Sequence, residues 1–169
     1  MPPPITLRMN HIAKLLPLSN ILLNLDVTSK KRLFEQVGLI FENHQGIARS
    51  TVFDSLFARE KLGSTGLGQG VAIPHGRVKG IKDAIGAFIR ITHPVPFDAP
   101  DGKPVGMVFV LLVPEAATEL HLQILSELAQ FFSDAEMRDQ LNSGSDAAAL
   151  HQKITTWSPN AADQRRAAV

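Results

Sequence analysis

The chain has 169 residues, 44% of them apolar and 20% charged, with a formal net charge of +1. That suits one globular domain with a single core and makes no electrostatic case for nucleic acid or an anionic membrane surface. There is no cysteine, which excludes disulfides, thiolate zinc sites, iron–sulfur clusters and a cysteine nucleophile and fits a reducing compartment.

The longest apolar run, Val105 to Pro114, is about half the ~20 residues a spanning helix needs. The opening MPPPITLRMN lacks the basic start and unbroken apolar stretch of a secretory signal. A cytoplasmic protein without direct membrane insertion is therefore expected. Pro2, Pro3 and Pro4 cannot join a sheet or a helix interior, so residues 1–9 are expected to be flexible.

His11 to Leu16 suits a short helix stopped by Pro17, and Ile21 to Leu25 is an apolar run too short to assign. A longer helix begins at Thr28 or Ser29, either of which can cap it. Leu33, Phe34, Val37, Ile40 and Phe41 then repeat at helical spacing until Asn43 to Gly46 ends it. A second helix is expected from Ser50, with Val52, Phe53, Leu56 and Phe57 inward and a stop before Gly63.

A glycine-rich loop, Gly63 to Gly70, runs into the short apolar stretch Val71-Ala72-Ile73, which Pro74 ends. Ala84 to Ile91 and Gly106 to Val113 have strand length and composition, and Pro94 to Pro104 joins them as a hairpin or wide loop. Thr118 is placed to cap a helix bearing Ile124, Leu125, Leu128, Phe131 and Phe132. Ser133 and Ser145 are candidate caps for two more helices, and the tail 158–169 is expected to fray. Helices both precede and follow the strands. The expected fold is α/β, a single-domain sandwich over 10–157 with a central mixed β-sheet flanked by helices.

The segment GSTGLGQGVAIPHGR, Gly63 to Arg77, carries the chemistry. Its glycines can expose backbone N–H groups to an anion, and Ser64 and Thr65 add hydroxyl donors. Pro74 fixes the chain direction before His75, and Gly76 leaves the ring uncrowded. A neutral imidazole presented this way is a competent nucleophile, and phosphoryl transfer asks for little beyond positioning and charge stabilisation. The nucleotide-binding P-loop needs Gly-Lys-Ser/Thr at its end, which is absent, and the dinucleotide fingerprint G-x-G-x-x-G is not matched by Gly66, Gly68 and Gly70.

GSTGLGQGVAIPHG resembles the active-site signature of the enzyme IIA proteins of the bacterial phosphotransferase system, in their mannitol/fructose/nitrogen-type branch. The later stretch FDAPDGKPVGMVFVLLVPEAATELHLQILSELAQFF is similar to the same family, most closely to its nitrogen-regulatory member. The resemblance covers roughly residues 10 to 155. It implies that His75 accepts a phosphoryl group, on Nε2, from a phosphorylated HPr-like carrier protein, itself fed by phosphoenolpyruvate through enzyme I. It implies a second histidine beside the acceptor, at His121, and an arginine in an R-E-x-x-G-S/T context, matched by Arg59, Glu60, Gly63 and Ser64. No metal or organic cofactor is implied.

Each residue also has a plain reading. His121 lies three, four and seven residues before Ile124, Leu125 and Leu128, on the face of the apolar stripe. It can be a buried, hydrogen-bonded histidine, or a neutral donor to a phosphoryl oxygen at a helix start that favours anions. Arg59 either compensates the dipole at a helix end or grips two phosphoryl oxygens. Ser64 and Thr65 either stabilise the turn or touch the phosphoryl group. Arg77 reads as a solvated or partner-facing charge. Phe97, Asp98, Asp101 and Gly102 suit loop packing and turn chemistry as well as the family pattern. His11, His44, His93 and His151 read as surface or loop residues.

Three functions remain open at this level. The chain is a regulatory phosphocarrier whose two forms bind different targets, such as transporters or sensor kinases. Alternatively, it is a sugar-specific IIA subunit that passes the group to a IIB domain, or a noncatalytic IIA-like binding module. The absence of a IIB or membrane domain beside these residues favours the first.

Overall fold

A computed structural model describes residues 10–117 and 119–159. In chain order its elements are α1 (His11–Leu15), a 3-10 turn (Leu18–Asn20), β1 (Ile21–Leu25), α2 (Lys30–Gln45), α3 (Arg49–Glu60), β2 (Gly66–Gly68), β3 (Val71–Ala72), β4 (His75–Val78), β5 (Ile85–Val95), β6 (Val105–Pro114), α4 (Glu119–Ser133), α5 (Ala135–Ser143) and α6 (Ala147–Thr156). The expected loose ends, apart from Ser158 and Pro159, and the expected cap Thr118 lie outside the described residues.

The sheet is mixed. Its order is β1-β5-β6-β3-β2, with β4 also paired to β6. β5 and β6 form the central antiparallel hairpin, while β1 runs parallel to β5. β3 and β4 lie end to end along one edge of β6, both parallel to it, paired at Val71↔Met107 and His75↔Leu111. The α/β sandwich expected from the order of elements is the fold found.

The apolar run of β6 reflects two covered faces, since a strand buried on both sides needs no polar alternation. Phe109, Leu111 and Val113 meet Ile12, Ile124, Leu128 and Phe131 on the side of α1, α4, α5 and α6. Val108, Val110 and Leu112 meet Leu33, Phe34, Val37, Val52 and Leu56 on the side of α2 and α3. Each such large side chain taken fully from water contributes ~1.5–3 kcal/mol.

Helix ends follow local chemistry. The Ser29 side chain accepts the Arg32 N–H at 3.1 Å and opens α2. Gly46, at φ 69°, closes it in the left-handed conformation that favours glycine. α3 begins at Arg49, one residue ahead of expectation, because the Glu42 carboxylate accepts the Arg49 N–H at 2.8 Å and no side chain of Ala48 is needed.

The expected caps Ser133 and Ser145 are corrected to their neighbours Asp134 and Asp146. Those carboxylates accept the N–H groups of Met137 and Ala148 at 3.4 and 3.1 Å, where negative charge is favoured at a helix start. Ser133 instead donates its hydroxyl back to the Gln130 carbonyl at 2.6 Å. Ile21 to Leu25 is a strand, and the glycine-rich loop is in part the antiparallel pair β2–β3.

Candidate functional site

His75 opens β4, just past the break at Ile73-Pro74 between the two short strands on the β6 edge. Proline donates no hydrogen bond, so it is tolerated where the strand breaks, and its carbonyl still accepts the Leu111 N–H at 3.0 Å. The His75 ring folds back so that Nδ1 lies 2.9 Å from the Ile73 carbonyl. A carbonyl only accepts, so Nδ1 carries the proton and donates it. The lone pair of the neutral ring is thereby left on Nε2.

Gly76 decides what else reaches this ring. A Cβ there would lie 2.2 Å from Ser55 Oγ and 3.1 Å from the Ser55 carbonyl carbon and oxygen, so α3 rests directly on the β4 backbone. Ser55 donates its hydroxyl to the Arg77 carbonyl at 2.7 Å. Arg59 is one helical turn further on and lies on the same face. Gly76→Ala is expected to destabilise the fold by about 1–3 kcal/mol through this overpacking, read as a lowered denaturation midpoint.

From the other side, α4 delivers His121 in its first turn. The His75 and His121 ring centroids are 5.4 Å apart, edge to face at 78°. Together they wall a hollow of about 410 Å³, which Ser55, Ala58, Arg59 and Leu62 close on the α3 side and Gly76 and Arg77 on the β4 side. Leu62, 84% exposed, stands at its rim, and Leu120 and Leu122 flank His121 in the chain and are exposed as well.

Burial pushes the His75 imidazole below its ordinary 6.5. Its bond to the Ile73 carbonyl opposes that, the Arg59 charge reinforces it, and Glu60 opposes it. His121 is lowered too, first by burial and then by His75 and Arg77. Both rings are thus held neutral near pH 7.

Arg59 donates from Nη1 to the Gly63 carbonyl at 2.9 Å, which parks the guanidinium at the edge of the hollow. Arg77 is exposed and donates to the Glu115 carbonyl at 2.7 Å.

The structure therefore brings His75, His121 and Arg59 together, but it does not bring Ser64 or Thr65 into the hollow. Ser64 donates its hydroxyl to the Phe97 carbonyl at 2.6 Å, and Thr65 donates its own to Glu60 at 2.7 Å. Nor are four N–H groups of the glycine-rich segment free for an anion. Gly63 donates to the Glu60 carbonyl, Thr65 to the Glu60 carboxylate, Gly66 to Ser64 Oγ and Gln69 to Asp101. Phe97 is core, and Asp101 organises its turn by accepting the Gln69 and Lys103 N–H groups.

The pairing of Lys30 with Glu60 is what sequence reasoning missed. Their side chains pair at 2.8 Å across thirty residues of chain, and no periodic pattern marks such a contact. Among the other histidines, His11 lies against Glu127, His44 against Asn20 and His151 against the Leu16 carbonyl. The larger hollow of about 610 Å³ between α1, α4 and Trp157 contains His11, whose Nδ1 is already taken by Glu127 at 2.8 Å. Among the described residues no cluster of three or more His, Asp or Glu side chains is placed to hold a metal ion, and no helix is long and apolar enough to cross a membrane.

The chain is similar to known proteins along most of its length. The family model described as "Phosphoenolpyruvate-dependent sugar phosphotransferase system, EIIA 2" matches residues 14–156. The chain is 46% identical over 147 residues to a nitrogen regulatory protein of Pseudomonas aeruginosa, covering 86% of this chain and 96% of that one. It is 38% identical over 128 residues to the nitrogen regulatory protein of Escherichia coli K12, with 75% and 78% covered. The crystal structure of nitrogen regulatory protein IIA-Ntr from Neisseria meningitidis superposes with a TM-score of 0.82 at 56% identity, over 86% of this chain and 100% of that chain. IIA mannitol from Escherichia coli shares the fold at a TM-score of 0.66 and 20% identity, with 80% and 97% covered.

Proposed function

Because the chain belongs to the phosphotransferase-system EIIA 2 family, we propose that it is a phosphocarrier that takes a phosphoryl group on His75 Nε2 from a phosphorylated HPr-like protein. Its free and phosphorylated forms then engage different regulatory targets, such as transporters or sensor kinases, in the cytoplasm. The observation that carries this reading is the tautomer: with Nδ1 donating to the Ile73 carbonyl, Nε2 holds the lone pair beside the hollow.

The donor docks on the apolar rim that includes Leu62. The Nε2 lone pair attacks phosphorus in line. A new N–P bond forms at His75, the donor's N–P bond breaks, and its electron pair returns to the donor ring. The Nδ1 proton stays where it is, stabilised by the Ile73 carbonyl, so no base has to remove it. Arg59, leaving or sharing its bond to Gly63, and a neutral His121 meet the charge on the equatorial oxygens. Ser64 and Thr65 serve the site by holding the turn beneath Arg59.

Adding PO3⁻ to a neutral ring that keeps its Nδ1 proton leaves a net charge of about −1, with the negative charge on the phosphoryl oxygens. Set among Leu62 and the two arginines, it changes what this surface can bind. The relatives named nitrogen regulatory proteins support the regulatory role over passage to a sugar-specific IIB domain.

The test is incubation with enzyme I, an HPr-like carrier and labelled phosphoenolpyruvate. Acid-labile label on this chain is expected, and its absence rejects the reading. Adding a IIB domain and a sugar separates the metabolic role, which would drain the label into sugar phosphate.

The pH dependence has a definite sign. Rate follows the fraction of His75 that is unprotonated, and the imidazole is held below 6.5. The midpoint of the acid decline in transfer to this chain is therefore expected to lie below 6.5. A decline centred above 6.5 with a pH-insensitive donor would contradict the assignment.

A further inference from the structure

Behind the hollow lies a buried polar cluster that does not line it. Glu60 is 8% and Thr65 6% exposed. Glu60 Oε1 accepts from Lys30 Nζ at 2.8 Å and from the Thr65 N–H at 3.1 Å, while Oε2 accepts the Thr65 hydroxyl at 2.7 Å. Lys30 also donates to the Phe97 carbonyl at 3.2 Å and lies 4.4 Å from the centroid of the Phe97 ring. Ser64 reaches that same carbonyl.

Stability is a poor account of such a cluster. Taking two charges out of water offsets most of what their attraction supplies, and a well-packed apolar replacement is often as stable or more so. What an apolar plug lacks is direction. Both oxygens of one carboxylate fix Thr65, two residues past Gly63, where the turn that begins at Glu60 ends. The Gly63 N–H closes that turn on the Glu60 carbonyl at 3.2 Å, and the Gly63 carbonyl holds the Arg59 guanidinium at 2.9 Å. The carboxylate therefore sets the position of the turn, and the turn sets the position of the cation.

We propose that Lys30, Glu60 and Thr65 are positioning residues for phosphoryl transfer: Lys30 holds the Glu60 carboxylate, which clamps Thr65 so that the 63–65 turn presents Arg59 to the group on His75. This rests on His75 being the acceptor. The cluster touches neither the phosphoryl group nor the rim, so its loss leaves donor docking intact and acts on the rate of the bound complex.

The experiment measures transfer from the phosphorylated HPr-like carrier as a function of carrier concentration, on the full chain. In Thr65→Val the hydroxyl is lost with the shape kept. The rate at saturating carrier is expected to fall about tenfold, within the ~100-fold that a displacement of one ångström can cost, while the half-saturating concentration stays put. Thr65→Ser, which restores the hydroxyl, is expected to recover the rate. The NMR signal of the Arg59 Nε–H group is expected to show greater side-chain mobility in Thr65→Val and not in Thr65→Ser.

If Thr65→Val does not fold, Lys30→Gln supplies the same readings. A folded variant with an unchanged saturating rate overturns the proposal. So does a loss confined to half-saturation, or a Thr65→Ser variant as slow as the valine. Wild-type chain that takes no label on His75 rejects the carrier reading itself, which is a different outcome from all of these.

Discussion

Replacing His75 by alanine is expected to reduce labelling from the phosphorylated carrier to background, the largest effect any single change in this chain can have. Nε2 of His75 is the lone pair that the structure leaves uncommitted in the hollow, because Nδ1 is bound to Ile73. Without it no N–P bond can form at that position. The fold is expected to survive, since the ring is only half-buried and makes one side-chain hydrogen bond, whose loss costs about 1 kcal/mol. An intact-mass measurement after incubation with the carrier chain reads the result directly. Label persisting in the alanine variant would move the acceptor role elsewhere, first to His121, whose ring centroid is 5.4 Å away.

Replacing Arg59 by glutamine is expected to slow transfer by about 10²- to 10³-fold, the loss seen when one preorganised donor to a developing charge is removed. Arg59 has a planar fork with two parallel donors, and a phosphoryl group in transfer spreads charge over oxygens that match it. Lysine at this position is expected to restore only part of the rate, since an ammonium is a point charge without the fork. A second reading guards against a merely structural effect. Arg59 helps to hold the His75 imidazole low, so its removal is expected to raise that pKa and move the acid limb of the rate profile to higher pH. Glutamine at His121, by comparison, removes a neutral donor, and about tenfold is expected from the energy of one such bond. A folded Arg59→Gln variant with wild-type rate and pH profile would take this residue out of the mechanism.

If the chain is the proposed regulatory carrier, its readout would follow from where the charge lands. The rim carries Leu62 at 84% exposure and two arginines, and a phosphoryl group at its centre turns an apolar, cationic surface into one with a compensated anion. A target that buries Leu62 in the free form loses that fit when the group is present, and one that supplies its own cations gains. On the proposed reading, the same surface would serve both donor docking and signal readout.

What the sequence determined by itself is local. The stripe Leu33, Phe34, Val37 and Phe41 predicts α2 because side chains three and four apart share a face. The strand composition of Ala84 to Ile91 and Gly106 to Val113 predicts the central hairpin. The I-P-H-G element and the residues around it single out His75, His121 and Arg59 by resemblance. Where local signals were equivocal, the reading slipped by one residue, as at Ser133 against Asp134, because serine and aspartate both cap and only the chain's path decides which one does.

Tertiary structure decided the rest. Ile21 to Leu25 became a strand because β5 offered a parallel edge. In the glycine-rich segment the N–H groups of Gly63, Thr65, Gly66 and Gln69 went to Glu60, Ser64 and Asp101. Lys30 met Glu60 across thirty residues. Period and capping act between residues a few positions apart, so they are written in the chain. Which donor a buried carboxylate finds, and which ring nitrogen keeps its lone pair, depends on groups that folding alone brings within 3 Å of each other.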